Sequence, residues 1–220
     1  MPIENTAAGE LELIVPNLHR RYSGVTATNR MVAPKLAKMF RAGWLGSHRP
    51  DGIDAMGFVD LMRLWRRARP LIWHARRNDE MIAGLALRAL GWPLKLLFTS
   101  AAQRHHTWLT RWLIRNMDAI IATSPLSASY LTREATVVMH GVDTDRYAPP
   151  ADRAAAFAES GLPGRYAIGC FGRVRAQKGS DVFVEAMCRL LPRYPDFTAI
   201  IVGAVVPEQL AFAGELKRKI

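Results

Sequence analysis

The sequence predicts an α/β fold in which helices cover both faces of a parallel β-sheet. Short apolar runs alternate along the chain with longer segments of helical periodicity, and this alternation favours a parallel sheet. The run AIIAT, at 119–123, is apolar on both faces, as a strand buried between two layers of helices should be. At 220 residues the chain is long enough for one large domain or two small ones.

Residues 1–145 are predicted to form a first, Rossmann-like domain. Its strands are short apolar runs bounded by turn residues, predicted at 11–15, 71–75, 95–100, 118–124 and 136–140. Its helices have apolar residues at helical spacing and are predicted at 28–40, 58–68, 79–90, 105–116 and 126–133. Gly24 lies in the loop after the first strand, and residues 41–57, rich in Gly and Pro, are predicted to be irregular.

A second α/β unit, residues 151–220, is predicted to follow a linker at residues 141–153. The linker, GVDTDRYAPPADR, is rich in turn residues and contains a Pro-Pro pair. The elements of the unit are predicted as a helix at 151–160, a strand at 166–172, a helix at 180–191 and a strand at 197–203. Two parallel strands leave both edges of the pair open and make a poor independent core. The sequence therefore predicts that this domain is incomplete and that the chain is a truncated product of a longer gene.

The net charge of +11 limits the classes of ligand that the protein is expected to bind. A basic protein of this kind binds nucleic acid, an acidic membrane surface or a phosphorylated small molecule, and charge alone does not choose among them. No recognised nucleic-acid-binding module accompanies the charge, so nucleic acid is the least favoured of these partners.

The apolar pattern and the cysteine content favour a cytoplasmic protein. No segment reaches the roughly 18 uninterrupted apolar residues of a membrane-spanning helix, and the acidic start, MPIENTAAGELELIV, differs from a secretory signal. Cys170 and Cys188 are the only cysteines. They are predicted to be buried, free thiols, and neither a disulfide nor a metal site is expected.

The segment 169–186, GCFGRVRAQKGSDVFVEA, places glycines and cations between a predicted strand and a predicted helix. In doubly wound folds, ligands bind at the carboxyl ends of strands, where a helix N-terminus attracts anions. Gly172 and Gly179 allow a sharp turn and a close approach to a ligand. Arg173 offers a planar fork for phosphate oxygens, and Lys178 adds a compact charge. This pattern predicts a diphosphate site, although a solvated basic loop would have the same composition.

Three segments together resemble the family 4 retaining glycosyltransferases, which have the GT-B architecture of two Rossmann-like domains. The segment FGRVRAQKGSDVFVEAM resembles the first strand, turn and helix of that family's C-terminal domain, and VVMHGVDTDRYAPP resembles its interdomain segment. DAIIATSPLSASYL resembles the strand and helix just before that segment. Within the family, residues 97–124 and 169–197 look most similar to the lipopolysaccharide core mannosyltransferases of Gram-negative bacteria.

The resemblance implies that Arg173 and Lys178 are catalytic, because they hold the diphosphate of a nucleotide-sugar and stabilise it as it leaves. Gly172 and Gly179 belong to the same donor site, and Gly24 matches a glycine-bearing loop that faces the donor phosphates and the acceptor. The implied reaction transfers mannose from GDP-mannose to a lipopolysaccharide core sugar with retention at the anomeric carbon. The family implies no cofactor and no bound metal, since cationic side chains and a helix N-terminus take the place of the metal.

Two positions depart from the family pattern. Many members carry a His directly after the strand that corresponds to 95–99, whereas this sequence has Ser100 there and His105 and His106 further along. These three residues are candidates for the acceptor or sugar side of the site; alternatively, the histidines only begin a helix. His140 stands where the interdomain motif usually has Asn.

The sequence lacks a pair of glutamates that the family uses to contact the donor sugar and the ribose. In the family motif, seven residues separate two Glu residues well beyond the Lys-Gly turn. Glu208 and Glu215 are separated by six residues and lie in a different element, so they are not this motif. The resemblance therefore predicts that the chain by itself is inactive or nearly so. The alternative to an enzyme is a non-catalytic remnant that binds acidic membranes or a partner.

Two predicted helices combine aromatic residues with arginines. Residues 58–69, FVDLMRLWRRAR, and residues 104–115, RHHTWLTRWLIR, are amphipathic at helical spacing, and the second has Trp108 and Trp112 four residues apart. Aromatic rings and arginines suit the surface of an acidic membrane. Such a surface would place the protein on the cytoplasmic face of the inner membrane, near a lipid-linked acceptor. The alternative is that the apolar stripes pack on the sheet and the arginines are solvated.

Overall fold

The computed structural model describes residues 11–220. The chain divides into two compact units between Asp143 and Thr144. Within the described residues, the first unit contains a parallel sheet of seven strands, and the second contains a parallel pair. The sequence prediction of an α/β fold built on parallel sheets is confirmed.

The first unit follows the predicted strand-helix alternation closely. Its strands are β1 (Leu13–Asn17), β2 (Ala42–Gly46), β3 (Asp54–Met56), β4 (Leu71–Ala75), β5 (Leu94–Ser100), β6 (Ala119–Ala122) and β7 (Thr136–Val137). Its helices are α1 (Gly24–Met39), α2 (Phe58–Arg63), α3 (Asn78–Ala89), α4 (Trp108–Arg115) and α5 (Pro125–Ser129).

The strand order of the first sheet is β3-β2-β1-β4-β5-β6-β7, with every neighbouring pair parallel. From β1 the chain builds outward to β2 and β3, and then returns to place β4 on the other side of β1. The order therefore reverses between β1 and β4. In open α/β sheets a ligand crevice lies at such a reversal, outside the carboxyl ends of the two strands.

Two separate hydrophobic clusters cover the two faces of this sheet. Leu13 and Val15 of β1 pack with Ala33 of α1 on one face. Ile14 belongs to the other cluster, which also contains Met81 of α3. Successive side chains of a strand point to opposite faces, so β1 is apolar on both sides and is buried along its whole length. Helices α1 and α3 thus leave the crevice on opposite faces of the sheet.

The prediction that residues 41–57 are irregular is wrong for β2 and β3. Glycine and proline content led to that expectation, but pairing with β1 decides the structure, because Ile14 and Val15 lie in register with Gly43 and Trp44. Gly43 is needed where it stands, since a Cβ there would overlap the side chain of Met56. Tertiary context overrides the local propensity here.

The prediction that Gly24 lies in a loop, with the helix beginning near residue 28, is also wrong. Gly24 is the first residue of α1, and Ser23 is its N-cap, with the Ser23 hydroxyl accepting a hydrogen bond from the Thr26 amide at 3.4 Å. The sequence GVTAT has low helix propensity, which hides the early start. The cap supplies an acceptor for an amide that the helix itself leaves unpaired.

The second unit is smaller and more exposed. Its elements are α6 (Arg153–Glu159), β8 (Tyr166–Phe171), α7 (Ser180–Leu190), β9 (Phe197–Val202) and α8 (Leu210–Lys219), with 3₁₀ turns at Ala176–Lys178, Leu191–Arg193 and Pro207–Gln209. Its core consists of Val174, Val184, Ala213 and Leu216. Both cysteines are free, but Cys188 is exposed and Cys170 is half-buried. The prediction of two buried thiols is therefore wrong.

Candidate active site

A single arginine ties together the elements that meet at the carboxyl ends of β1 and β4. The guanidinium of Arg77, two residues after β4, donates hydrogen bonds to Asn17 Oδ1 at 3.0 Å and to Glu80 Oε1 at 3.2 Å. It also donates to Ser23 Oγ and Thr26 Oγ1, each at 2.7 Å. Arg77 thus binds the last residue of β1, the cap and first turn of α1, and the first turn of α3.

Glu80 is the buried carboxyl group of this cluster, and its side chain has no solvent exposure. Its Oε2 accepts a hydrogen bond from the Arg76 amide at 2.7 Å, and its backbone carbonyl accepts one from the Trp73 indole at 2.8 Å. Burial raises the pKa of Glu80 to about 7, because lost solvation outweighs the Arg76 hydrogen bond and the charge of Arg77. A carboxyl group so enclosed is a fixed part of the scaffold.

The N-terminus of α1 is open to a ligand. Gly24 is exposed, and a Cβ added there would meet no atom within 4 Å. The first amides of a helix attract anionic groups. Since Arg77 holds both Ser23 and Thr26, the position of this helix start is fixed by the β4–α3 turn.

The carboxyl end of β5 carries a second group of polar side chains. His74 Nε2 lies 2.7 Å from Thr99 Oγ1, and both residues are buried. Burial, with a smaller effect of the charge on Arg76, lowers the pKa of His74 to about 3, so the ring is neutral at physiological pH. This imidazole offers one donor and one acceptor nitrogen.

The structure brings together two of the three residues predicted for the acceptor side. Ser100 is buried, its carbonyl accepts a hydrogen bond from Ser127 Oγ at 3.0 Å, and its Oγ lies 3.5 Å from His106 Nε2. His106 is half-buried, and burial together with the charge of Arg104 lowers its pKa. His105 is exposed and packs edge-on against Tyr130 at 5.1 Å. Ser100 and His106 are brought together, and His105 is not part of that pair.

The turn between β8 and α7 has the backbone that its glycines predict. Gly172 has φ +134° and Gly179 has φ +69°, conformations that other residues rarely adopt, and neither has an atom within 4 Å of a Cβ position. The amide of Gly172 donates to Val202 O at 2.9 Å, which fixes the start of the turn to β9. The turn is therefore tightly bent and open on its glycine side.

The two predicted cations lie on this turn. Arg173 is half-buried, and Lys178 is the exposed last residue of the 3₁₀ turn before α7. Ser180 is buried, and its hydroxyl lies 3.4 Å from both the amide and the carbonyl of Arg175, which closes the turn on itself. Asp181 in the first turn of α7 is the acidic residue beside them. The arrangement combines two cations with a helix N-terminus, a combination that favours phosphate.

The remaining residues named in the sequence are exposed. His140 is exposed after β7, Glu208 lies in the third 3₁₀ turn, and Glu215 is exposed on α8. Residues 11–220 contain no group of three or more His, Cys, Asp or Glu side chains placed to hold a metal ion. In the same range, no helix has both the length and the apolar character to cross a bilayer.

Sequence reasoning missed His74, Arg76, Arg77 and Glu80. The signal was present, because polar and charged residues follow the buried strand LIWHA directly, in the order RRNDE. Residues at the carboxyl end of a parallel strand lie where ligands bind. The strand order shows that the ends of β1 and β4 are the place where a ligand is expected. No local sequence pattern predicts that order.

Solved structures share the fold of this chain. Anabaena HepE, crystallised in complex with UDP and glucose, matches with a TM-score of 0.72 over 96% of this chain and 65% of that chain, at 15% identity. At this identity the likeness shows the fold. The chain has the fold of the GT-B glycosyltransferases.

Sequence comparison gives the particular relatives. The chain is 48% identical over 216 residues to the lipopolysaccharide core biosynthesis mannosyltransferase LpcC of Rhizobium leguminosarum bv. viciae. It is 45% identical over 217 residues to LpsB of Rhizobium meliloti, which has the same description. Both matches cover 96% of this chain and 61% to 62% of the relative. No family model matches the chain. The chain is thus similar over most of its length to two lipopolysaccharide core mannosyltransferases, and it spans about three fifths of their length.

The buried carboxyl of Glu80 predicts a specific pH dependence of stability. Between pH 4.5 and about 7, Glu80 is ionised in the unfolded chain and protonated in the folded protein. Raising the pH through this range therefore favours unfolding and lowers the free energy of unfolding by about 3 kcal/mol. Glu80→Gln should remove this component while keeping an acceptor for the Arg76 amide.

Urea titrations at several pH values, followed by tryptophan fluorescence, measure this effect in the first unit, since all six Trp residues lie there. His74 contributes with the opposite sign, because its low pKa makes the folded state less stable as the pH falls from 6.5 towards 3. Taking the difference between wild type and Glu80→Gln cancels the His74 contribution. Parallel curves for the two proteins would contradict the assignment.

Proposed function

We propose that the protein is a mannosyltransferase that moves mannose from GDP-mannose to a lipopolysaccharide core sugar with retention at the anomeric carbon. The observation that carries the proposal is 48% identity over 96% of the chain to a lipopolysaccharide core mannosyltransferase. The bond between the anomeric carbon and the diphosphate oxygen of GDP breaks, a bond from that carbon to the oxygen of an acceptor hydroxyl forms, and the hydroxyl proton passes to the departing diphosphate. Negative charge grows on the departing diphosphate, so the protein must stabilise it there.

The turn after β8 is the proposed diphosphate site. Arg173 presents a planar guanidinium, Lys178 an exposed ammonium, and α7 its N-terminus. Gly172 and Gly179 have no atoms near their Cβ positions, so phosphate oxygens are able to approach the backbone. These groups supply the positive charge that the reaction needs, and we propose that no metal ion or other cofactor takes part.

The first unit is the proposed acceptor side. Gly24 leaves the N-terminus of α1 open, and the paired Ser100 and His106 lie at the carboxyl end of β5. Burial, with a smaller effect of the charge on Arg104, lowers the pKa of His106. An imidazole is able to form hydrogen bonds with sugar hydroxyls. His105 is more exposed and is the weaker candidate for a sugar contact.

Removing the cations of the turn should abolish most of the transfer. We expect Arg173→Ala and Lys178→Ala in the full gene product each to lower the rate of GDP release in the presence of acceptor by roughly 100-fold or more. Lys38→Ala removes an exposed lysine from the last turn of α1 and should leave the rate unchanged. The measurement is acceptor-dependent release of GDP from GDP-mannose.

Several outcomes of this assay would count against the proposal. A wild-type product that releases no GDP with a lipopolysaccharide core acceptor would favour the non-catalytic remnant. Release from another sugar nucleotide at a higher rate would overturn the choice of donor. Full activity of the Lys178→Ala protein would remove the turn from the catalytic site.

We also propose that α4 binds the acidic surface of the inner membrane. Trp108 is 75% exposed and Trp112 is 52% exposed. Both lie on the same side of the helix as the exposed Arg111 and Arg115. The apolar residues that pack inward are Leu113 and Ile114. The tryptophans therefore do not pack in the core. This disagrees with the alternative that the whole apolar stripe of the helix packs on the sheet.

The second amphipathic segment is exposed in the same way. Leu61 and Leu64 are buried, whereas Phe58 is 74% exposed and Trp65 is 47% exposed. The guanidinium of Arg66 lies over the Trp65 ring at 5.2 Å. Exposed aromatic rings with neighbouring arginines are the combination that inserts at a lipid interface and pairs with acidic headgroups. A surface of this kind would hold the enzyme near a lipid-linked acceptor.

Membrane binding should depend on the two tryptophans of α4. We expect the double variant Trp108→Ala/Trp112→Ala to co-sediment roughly fivefold less with vesicles of phosphatidylglycerol and phosphatidylethanolamine. Each substitution removes an aromatic ring that would otherwise be buried in the membrane interface. Tyr194→Ala, which removes an exposed aromatic ring from the second unit, is the control. Equal binding of all three proteins, or binding to neutral vesicles as strong as to acidic ones, would refute an electrostatic interfacial surface.

A further inference from the structure

Two adjacent arginines at the reversal between β1 and β4 have opposite surroundings. The two terminal nitrogens of the Arg77 guanidinium donate to four side-chain acceptors of the protein. Arg76, one residue earlier, donates only through its backbone amide, to Glu80 Oε2. Its guanidinium makes no hydrogen bond or ion pair with any group of residues 11–220. Arg77 therefore stabilises the surrounding structure, whereas the guanidinium of Arg76 keeps unused hydrogen-bond donors.

The unused donors of Arg76 lie in a partly buried place. Arg76 is half-buried, and its Nε is enclosed without a hydrogen-bond partner among the described residues. Burial lowers the pKa of Arg76 to about 10, although the carboxyl of Glu80 acts in the opposite sense. The guanidinium therefore remains charged at neutral pH. A buried, charged donor without a partner costs free energy and calls for an explanation.

The groups around Arg76 do not neutralise it. His74, two residues earlier, is neutral, and its ring is engaged by the Thr99 hydroxyl at 2.7 Å. The carboxyl of Glu80 is engaged by the Arg76 amide and by Arg77. A cation is thus left at the carboxyl edge of the sheet, beside hydroxyl and imidazole groups that suit a polar ligand.

We propose that Arg76 binds an anionic group, a carboxylate or a phosphate, on the sugar acceptor. The position at the strand reversal is where α/β sheets bind ligands, and the planar fork of a guanidinium matches the paired oxygens of either anion. The identification of the ligand as the acceptor rests on the proposed function. The anion-binding role of Arg76 rests on its unused donors and on its position at the strand reversal.

The test compares binding of three small sugars to the full gene product. Glucuronate carries a carboxylate, glucose 6-phosphate carries a phosphate, and glucose is the neutral reference. Isothermal titration or saturation-transfer NMR should show that Arg76→Gln weakens binding of at least one anionic sugar roughly tenfold, as expected for a lost charge-assisted pair. Arg193→Gln removes an exposed arginine of the second unit and should change nothing. The anionic sugar that loses more affinity identifies the anion.

Three results would overturn the proposal. The first is equal affinity of wild type and Arg76→Gln for both anionic sugars. The second is an equal loss of affinity for GDP, which would assign Arg76 to the donor. The third is a fall in thermal stability that accounts for the lost binding. If Arg76→Gln does not fold, Arg76→Lys is tested instead, because lysine keeps the positive charge but lacks the planar guanidinium. Wild-type affinity of Arg76→Lys for both anionic sugars would refute the anion-binding role of Arg76.

This test is independent of turnover. Loss of anionic-sugar binding in Arg76→Gln, in a protein that releases no GDP from GDP-mannose, would support the anion site and reject the mannosyltransferase proposal. Turnover that is unaffected by Arg76→Gln, with unchanged binding, would support the enzyme and reject the anion site.

Discussion

The Arg77 cluster is the interaction on which the candidate site of the first unit depends. One guanidinium connects the end of β1, the cap of α1 and the buried Glu80 of α3. These elements leave the sheet in opposite directions, with α1 on one face and α3 on the other. A guanidinium held by four acceptors is rigid, because moving any one of them breaks a hydrogen bond. The ends of β1, α1 and α3 therefore have fixed positions relative to one another.

Other groups near the carboxyl ends of the strands keep donors or backbone positions that a ligand is able to reach. Arg76 has unused donors beside the cluster, Gly24 opens the start of α1, and Lys178 extends from the turn of the second unit. Each unit thus contributes positive charge and a helix N-terminus at the carboxyl ends of its strands. In each unit, a cation near a helix N-terminus favours an anionic ligand.

The sequence predicted much of the architecture, whereas the roles of its candidate site residues stay predictions. Buried strands such as LIWHA were identified because their apolar runs are continuous, and the turn at 172–179 because glycines and cations are concentrated there. Strand β2 was missed because AGWLG is stabilised by pairing with β1, which no local pattern reveals. Arg76 and Arg77 look identical in the sequence. Only the strand order and the positions of their acceptors separate the structural arginine from the one with unused donors.

Amide hydrogen exchange of an Arg77→Lys protein tests the role of this cluster most directly. Lysine keeps a charge for Glu80 but cannot reach four acceptors with fixed geometry. The account predicts that amides at the start of α1, from Ser23 to Asn29, exchange at least roughly tenfold faster than in wild type, while those of β4 and β5 keep their protection. Unchanged protection at the start of α1, or an equal loss of protection across the whole sheet, would contradict the conclusion that Arg77 holds the start of α1 in place.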